Sequence, residues 1–228
     1  MMIARTPARL GHRGFSLVEL LVAMALAGLV LGLLVNFFAN LTRSSAAQNA
    51  AANAQQAART SVDYMVGELR AAGMDPLKSA GAGIEEISSG GGKLRFTADR
   101  CDLPIGSSGK CDNPVPDGDV EDITERVTFV YDAAASTLRR CFYETAATHG
   151  TSGSDGACEP LVAGVVANPD GSPLFRFLDE SENPVLTNAD RGAIRTVIVT
   201  LTVEEPAGRN RSAARTYSSR VRLRNIGL

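Results

Sequence analysis

The sequence predicts an α+β protein, with one long N-terminal helix followed by a head built on antiparallel β-structure. Three observations predict it. Residues Phe15 to Ala39 form an apolar run interrupted only by Ser16, Glu19 and Asn36. The next thirty or so residues, roughly to Gly73, are rich in Ala, Gln and Arg and contain no proline. Beyond Asp75-Pro76 the pattern changes to β-type alternation broken by Gly, Pro, Asp and Asn clusters. Strands that follow a helix, rather than alternate with it, belong to α+β architectures. The 228 residues suffice for one domain with its own core plus an attachment segment.

The apolar run is long enough for a helix to cross a hydrocarbon layer about 30 Å thick, and too long for an ordinary signal-peptide core. Arg5, Arg9 and Arg13 precede it, and the next basic residue is Arg43. The positive-inside rule therefore puts the N-terminus in the cytoplasm and everything after Ala39 outside. A carboxylate inside the bilayer costs about 2.5–3.5 kcal/mol on insertion scales, so Glu19 calls for a cationic partner. If the basic lead-in is removed, 20 of the 23 basic residues remain against 25 acidic ones, a formal charge of −5. An α-amino group newly made at Phe15 would supply the cation, and helix geometry favours pairing it with the Glu19 of a neighbouring copy or partner.

From Asn40 onward the composition favours continued helix. Val62, Met65, Val66 and Leu69 share one face, a packing stripe rather than a ligand site. Gly73 with Asp75-Pro76 is the stop signal. In the head, "KLRFTAD" reads as a short strand, and "ERVTFVYDAAASTLRRCFYE" as a hairpin with Val127, Phe129 and Tyr131 on one face. "LFRFLDESENPVL" reads as a strand and turn. "IRTVIVTLTVEEP" and "RTYSSRVRLRNIGL" read as strands, the last with Val221 and Leu223 inward and Arg220, Arg222 and Arg224 outward.

Four cysteines, Cys101, Cys111, Cys141 and Cys158, lack Cys-x-x-Cys spacing, which points to disulfides rather than zinc or redox chemistry. Cys101 with Cys111 and Cys141 with Cys158 would each close a short polar loop, and sequence leaves all three pairings open. An oxidising compartment outside the membrane suits them.

"RGFSLVELLVA" resembles the class III signal of type IV pilins and type II secretion pseudopilins. It sets a short basic leader, Gly14, Phe15, an acid five residues into the mature chain and an unbroken apolar helix in one register. The resemblance implies the pilin fold, cleavage by a prepilin peptidase between Gly14 and Phe15, N-methylation of Phe15, and a role for Glu19 in assembly. It divides the chain into a leader (1–14), a transmembrane and filament-core helix (15–39), an amphipathic continuation (40–73) and a β-rich head (74–228). "MVGELRAAGMDP" and "VRLRN" further resemble PilW-type minor pilins and the pseudopilin J group. The implied protein is a structural subunit that helps initiate or cap a type IV pilus, or alternatively a J-like subunit of a type II secretion pseudopilus. Its implied partners are other minor and major pilins or pseudopilins, the prepilin peptidase and an inner-membrane assembly platform. Its implied place is the inner membrane, with the head in the periplasm, and then the filament. Many major pilins carry a proline in the second half of the apolar run, where this chain has none, and Gly28 and Gly32 are the positions at which the helix would loosen.

No catalytic constellation is present. His12 lies in the leader and His149 stands alone in a Gly/Ser/Thr-rich loop, so a histidine-based metal site or triad lacks parts. "GSSGKC" misses the spacing of a phosphate loop. Asp117, Asp119, Glu121 and Asp122 could offer oxygens to calcium but do not follow EF-hand spacing, and they read as a solvated acidic loop, so no cofactor is expected. The C-terminal arginines Arg209, Arg211, Arg215, Arg220, Arg222 and Arg224 could follow DNA phosphates in a DNA-uptake pilin. Aromatic interleaving is limited to Tyr217, and outward arginine more often guards a strand edge, so nucleic acid is not an expected partner.

Overall fold

The computed structural model describes residues 16–100, 115–120, 124–142, 157–208 and 210–226. The chain divides into two compact units, Met1–Ala46 and Ala47–Leu228. Helix α1 runs from Leu17 to Leu69.

In the first unit the described residues are helical apart from Ser16, whose Oγ accepts the Glu19 backbone N–H at 3.2 Å and so caps the first turn. Large apolar side chains from Leu17 to Leu41 are exposed, Leu17 at 75% and Phe38 at 62%. Polar side chains here turn inward on their own helix. Asn36 Nδ2 donates to the Gly32 carbonyl at 3.0 Å, and Thr42 Oγ1 to that of Phe38 at 2.9 Å. Such local bonds lower the cost of placing a polar group among apolar ones. A Cβ added at Gly28 or Gly32 would meet nothing within 4 Å.

In the second unit, α1 buries Ala50, Ala54, Ala58, Ser61, Val62, Met65, Val66 and Leu69. The expected stripe is thus extended N-terminally by small residues at i, i+4 spacing, which let the helix axis approach the sheet. The helix ends at Leu69, a few residues before the predicted stop. The Arg70 N–H still bonds four residues back to Val66, and the two that follow bond three back, Ala71 to Glu68 and Ala72 to Leu69. Gly73 completes the turn at φ +77, its N–H on the Thr97 carbonyl. A Cβ there would stand 2.5 Å from Ile226 Cγ1, so both backbone conformation and docking of the C-terminal segment require glycine.

The antiparallel head that the sequence predicts is built as two sheets. The first is a meander of β1 (Ile84–Ile87), β2 (Lys93–Thr97), β3 (Arg126–Asp132), β4 (Thr137–Phe142) and β5 (Ala157–Ala163) in that order. The second contains β6 (Val165–Val166), β7 (Phe175–Leu178), β8 (Thr196–Pro206) and β9 (Ser212–Arg222), with β8 pairing to all three others. Gly164 makes the switch between sheets. Its φ is +71, and a Cβ would fall 2.5 Å from the Glu204 carbonyl oxygen, so the chain can turn from β5 into β6 in one residue only with glycine.

One core joins the helix to both sheets, including Val62, Met65, Leu69, Phe96, Phe129, Leu138, Phe175, Val197, Val199, Leu201 and Val221. Phe129 lies at its centre, with the Tyr64 ring edge-on at 6.4 Å and the Phe96 ring at 6.2 Å. Ion pairs fasten β1. Glu85 takes Arg126 through two 2.8 Å bonds, and Glu86 takes Lys93 at 3.1 Å and Arg95 at 2.8 Å.

Cys141 and Cys158 face each other across β4 and β5 and form a disulfide, with Cα atoms 4.0 Å apart. Cys101 and Cys111 lie outside the described residues. The bridge spans 17 residues, for which loop-closure entropy gives about 3 kcal/mol. The expected result for Cys141→Ala/Cys158→Ala is an unfolding free energy in urea lowered by about that amount, with a correspondingly lower midpoint and the fold retained. A midpoint unchanged from the oxidised wild type would mean that this link contributes nothing.

Candidate functional site

Glu19 is the third residue of α1, in a Ser16-Leu-Val-Glu19 sequence whose Ser Oγ holds the Glu19 N–H. Ser-x-x-Glu is the capping-box pattern, and a carboxylate in the first turn also complements the positive end of the helix dipole. The acid stands out in the sequence by its place in an apolar run, and the Ser16 cap is carried by the same Ser-x-x-Glu spacing. Both Glu19 and the apolar residues flanking it are exposed. Among the described residues Glu19 makes no ion pair, and Arg43, the next basic residue along the chain, is 24 positions on, or about 36 Å of helix. The Arg43 guanidinium is turned to Asn40 Oδ1 at 3.4 Å. Among the described residues, then, a carboxyl stands at the head of an exposed apolar surface with no basic side chain paired to it. Gly14 and Phe15, the expected processing residues, lie outside the described residues.

Among the described residues one helix, α1, is long and apolar enough to cross a membrane.

Among the described residues, the other candidates are not brought together into a second site. Asp117 and Asp119 shape a loop: the buried Asp99 carboxylate accepts the N–H groups of Asp117 at 3.2 Å and Gly118 at 3.1 Å, and Asp117 Oδ1 accepts that of Asp119 at 3.1 Å. Glu121 and Asp122 lie outside the described residues, as do His12, His149 and the 106–111 loop. No group of three or more His, Cys, Asp or Glu that could hold a metal occurs among the described residues. Of the C-terminal arginines, Arg209 is outside the described residues, Arg220 is paired with Glu182, and Arg215 Nη1 donates to the Ala214 carbonyl at 2.9 Å.

The shifted carboxyl groups of the head set its pH response. Burial pushes Asp99 above the ordinary range against the pull of the Gly118 and Asp117 N–H groups, with the charges of Asp117 and Asp75 adding to the rise. Asp170 is lowered by the Ser172 hydroxyl and N–H, and Asp179 by the Asn183 side chain and N–H. At Asp75, burial raises and the backbone N–H groups of residues 78–81 lower, with a net decrease. Lowered groups contribute stability that is present above the unfolded-state value near pH 4 and is lost as pH falls through the folded values beneath it. Asp99 has the opposite sign, favouring the fold at low pH and losing that contribution as pH rises through its elevated value. Asp170→Asn/Asp179→Asn is therefore expected to flatten the decline of thermal stability below about pH 4. An acid limb as steep as the wild type's would remove these two groups from it.

The comparison with curated proteins finds no match to the chain. Residues 9–35 match the family model of the prokaryotic N-terminal methylation motif, a stretch that includes Glu19 and the start of the apolar helix. Together with the apolar helix and the antiparallel head behind it, that match supports a type IV pilin-like or pseudopilin-like protein anchored in a membrane.

Proposed function

We propose that the chain is a minor pilin, a non-enzymatic subunit that helps initiate or cap assembly of a type IV pilus. It is inserted in the inner membrane with its head in the periplasm, and a prepilin peptidase cuts between Gly14 and Phe15 and methylates the new Phe15 amine. The segment 15–39 then moves from lipid into the filament core, while residues 40–73 carry the head, 74–228. The observation that supports this reading is the Glu19 carboxyl at the start of an exposed apolar helix, with no ion pair among the described residues. In lipid and in a filament core, a charge is tolerated only with a partner close by. A neighbour's Phe15 ammonium meets that need only when subunits are in register, so the pairing both guides entry and checks alignment. The PilW-like stretches at the helix end, "MVGELRAAGMDP", and at the C-terminus, "VRLRN", support the minor-pilin reading.

The test is deletion of the gene followed by shearing and blotting. The expected result is loss of surface fibres and, in the wild type, small amounts of this subunit in the sheared fraction. Intact fibres with a defect in protein secretion would instead assign it to a type II pseudopilus.

A further inference from the structure

We infer that the outer edge of β9 is a docking site for an extended, acidic strand of another protein. The inference concerns the head alone and does not rest on the filament reading.

Every other strand bordering a sheet is closed or broken. The edge of β1 is covered by the 3₁₀ turn at Asn188–Ala193, where Asn188 Oδ1 takes the Ile87 N–H at 2.9 Å. β5 carries Pro160 and faces a register break in β4. β6 and β7 are also tied, since the Val165 N–H bonds to Ser136, the Phe175 N–H to Gly91, and the Phe177 carbonyl takes the Val185 N–H.

β9 differs. It runs eleven residues beside β8 in an uninterrupted register, from Arg222 opposite Thr196 to Ser212 opposite Pro206. It contains no Gly, Pro or bulge. The flanking bonds, Leu223 N–H to Arg195 and Ala207 N–H to Arg211, fix the phase of the ladder. In an antiparallel pair the hydrogen-bonded residues alternate. Odd-numbered residues of β9 therefore bond to β8, and even-numbered ones point their N–H and C=O outward. The Ala214 carbonyl is taken by Arg215. Thr216, Ser218, Arg220 and Arg222 are exposed, and their outward backbone groups have no partner among the described residues.

Such an edge is a template for strand addition, and proteins without a use for one protect it. The flanking charge selects the occupant. Arg215, Arg220, Arg222 and Arg224 border the edge, with Glu182 on Arg220 as the acid paired among them. A second copy of β9 would bring a second set of arginines alongside, and like charges across strands are destabilising. A partner strand with Asp or Glu at alternating positions instead meets complementary charge while the backbone supplies the pairing.

The test uses the full chain in detergent micelles and a synthetic nine-residue peptide of alternating Thr and Glu. Two control peptides carry Lys for Glu, or N-methyl groups at alternate residues to block backbone pairing. The expected results are binding of the acidic peptide, none of either control, and slowed amide exchange at Thr216, Ser218, Arg220 and Arg222 on binding. Ser218→Pro removes one outward N–H while sparing the β8 ladder, and should weaken binding about tenfold with an unchanged melting temperature. Equal binding of the N-methylated peptide, no binding at low salt, or exchange at these four amides already slow in the free protein would overturn the inference.

Discussion

Replacing Glu19 by glutamine is expected to leave the subunit inserted in the membrane and to cut its incorporation into filaments by at least an order of magnitude. Glutamine keeps the length of the side chain and the Ser-x-x-Gln form of the capping box, so the first turn held by Ser16 should persist. It removes the charge that opposes insertion, and membrane levels should equal or exceed the wild type's. What it cannot do is neutralise a neighbour's ammonium. A charged hydrogen bond in such surroundings contributes about 1.5–3 kcal/mol, roughly a 10- to 150-fold effect on incorporation. Blotting of membrane and sheared-filament fractions reads both quantities. Equal incorporation would leave Glu19 with only its place at the helix terminus.

Phe129→Ala should give the largest loss of stability in the head, about 3–5 kcal/mol. The ring is fully buried and lies in contact distance of Tyr64 on α1 and Phe96 on β2, so its removal opens a cavity where the helix meets the first sheet. Against a total of about 5–15 kcal/mol for a typical domain, a loss of that size brings the head near unfolding. Urea unfolding of the full chain in detergent measures it. A change below about 1 kcal/mol would mean that the surroundings collapse to fill the gap, and that the contact does not hold helix to sheet.

Much of this architecture was legible because it is local. An apolar run of helical length, a Pro-free Ala-rich continuation and a Gly stop define α1, and alternation in "KLRFTAD", "ERVTFVYD" and "IRTVIVTLTVEEP" marks β2, β3 and β8. Val221 and Leu223 are buried and Arg220, Arg222 and Arg224 exposed, as the period of two requires. The strands that escaped notice are short or atypical. β1 is four residues with two glutamates, whose meaning appears only when Arg95 and Arg126 arrive from other strands. β6 is two residues, and β5 contains a proline. The division into two sheets rests on Gly164, which reads in sequence as any loop glycine and acts through a close approach to Glu204, forty residues away.

The candidate site divides in the same way. Glu19, its register with Gly14 and Phe15, and the Ser16 cap are all matters of adjacent sequence. The outer edge of β9, unpaired among the described residues, depends on which strands pair with which, a non-local property, so the C-terminal arginines were legible as a charged stretch but not as the border of a strand edge.

The central claim is that Glu19 finds its counter-charge on an amine created by proteolysis at Phe15. Mass spectrometry of the N-terminal peptide of the protein isolated from membranes of its own cells tests it most directly. The expected result is a chain beginning at Phe15 and carrying one N-methyl group; a chain that retains the leader through Gly14, or is cut at another bond, would contradict the account.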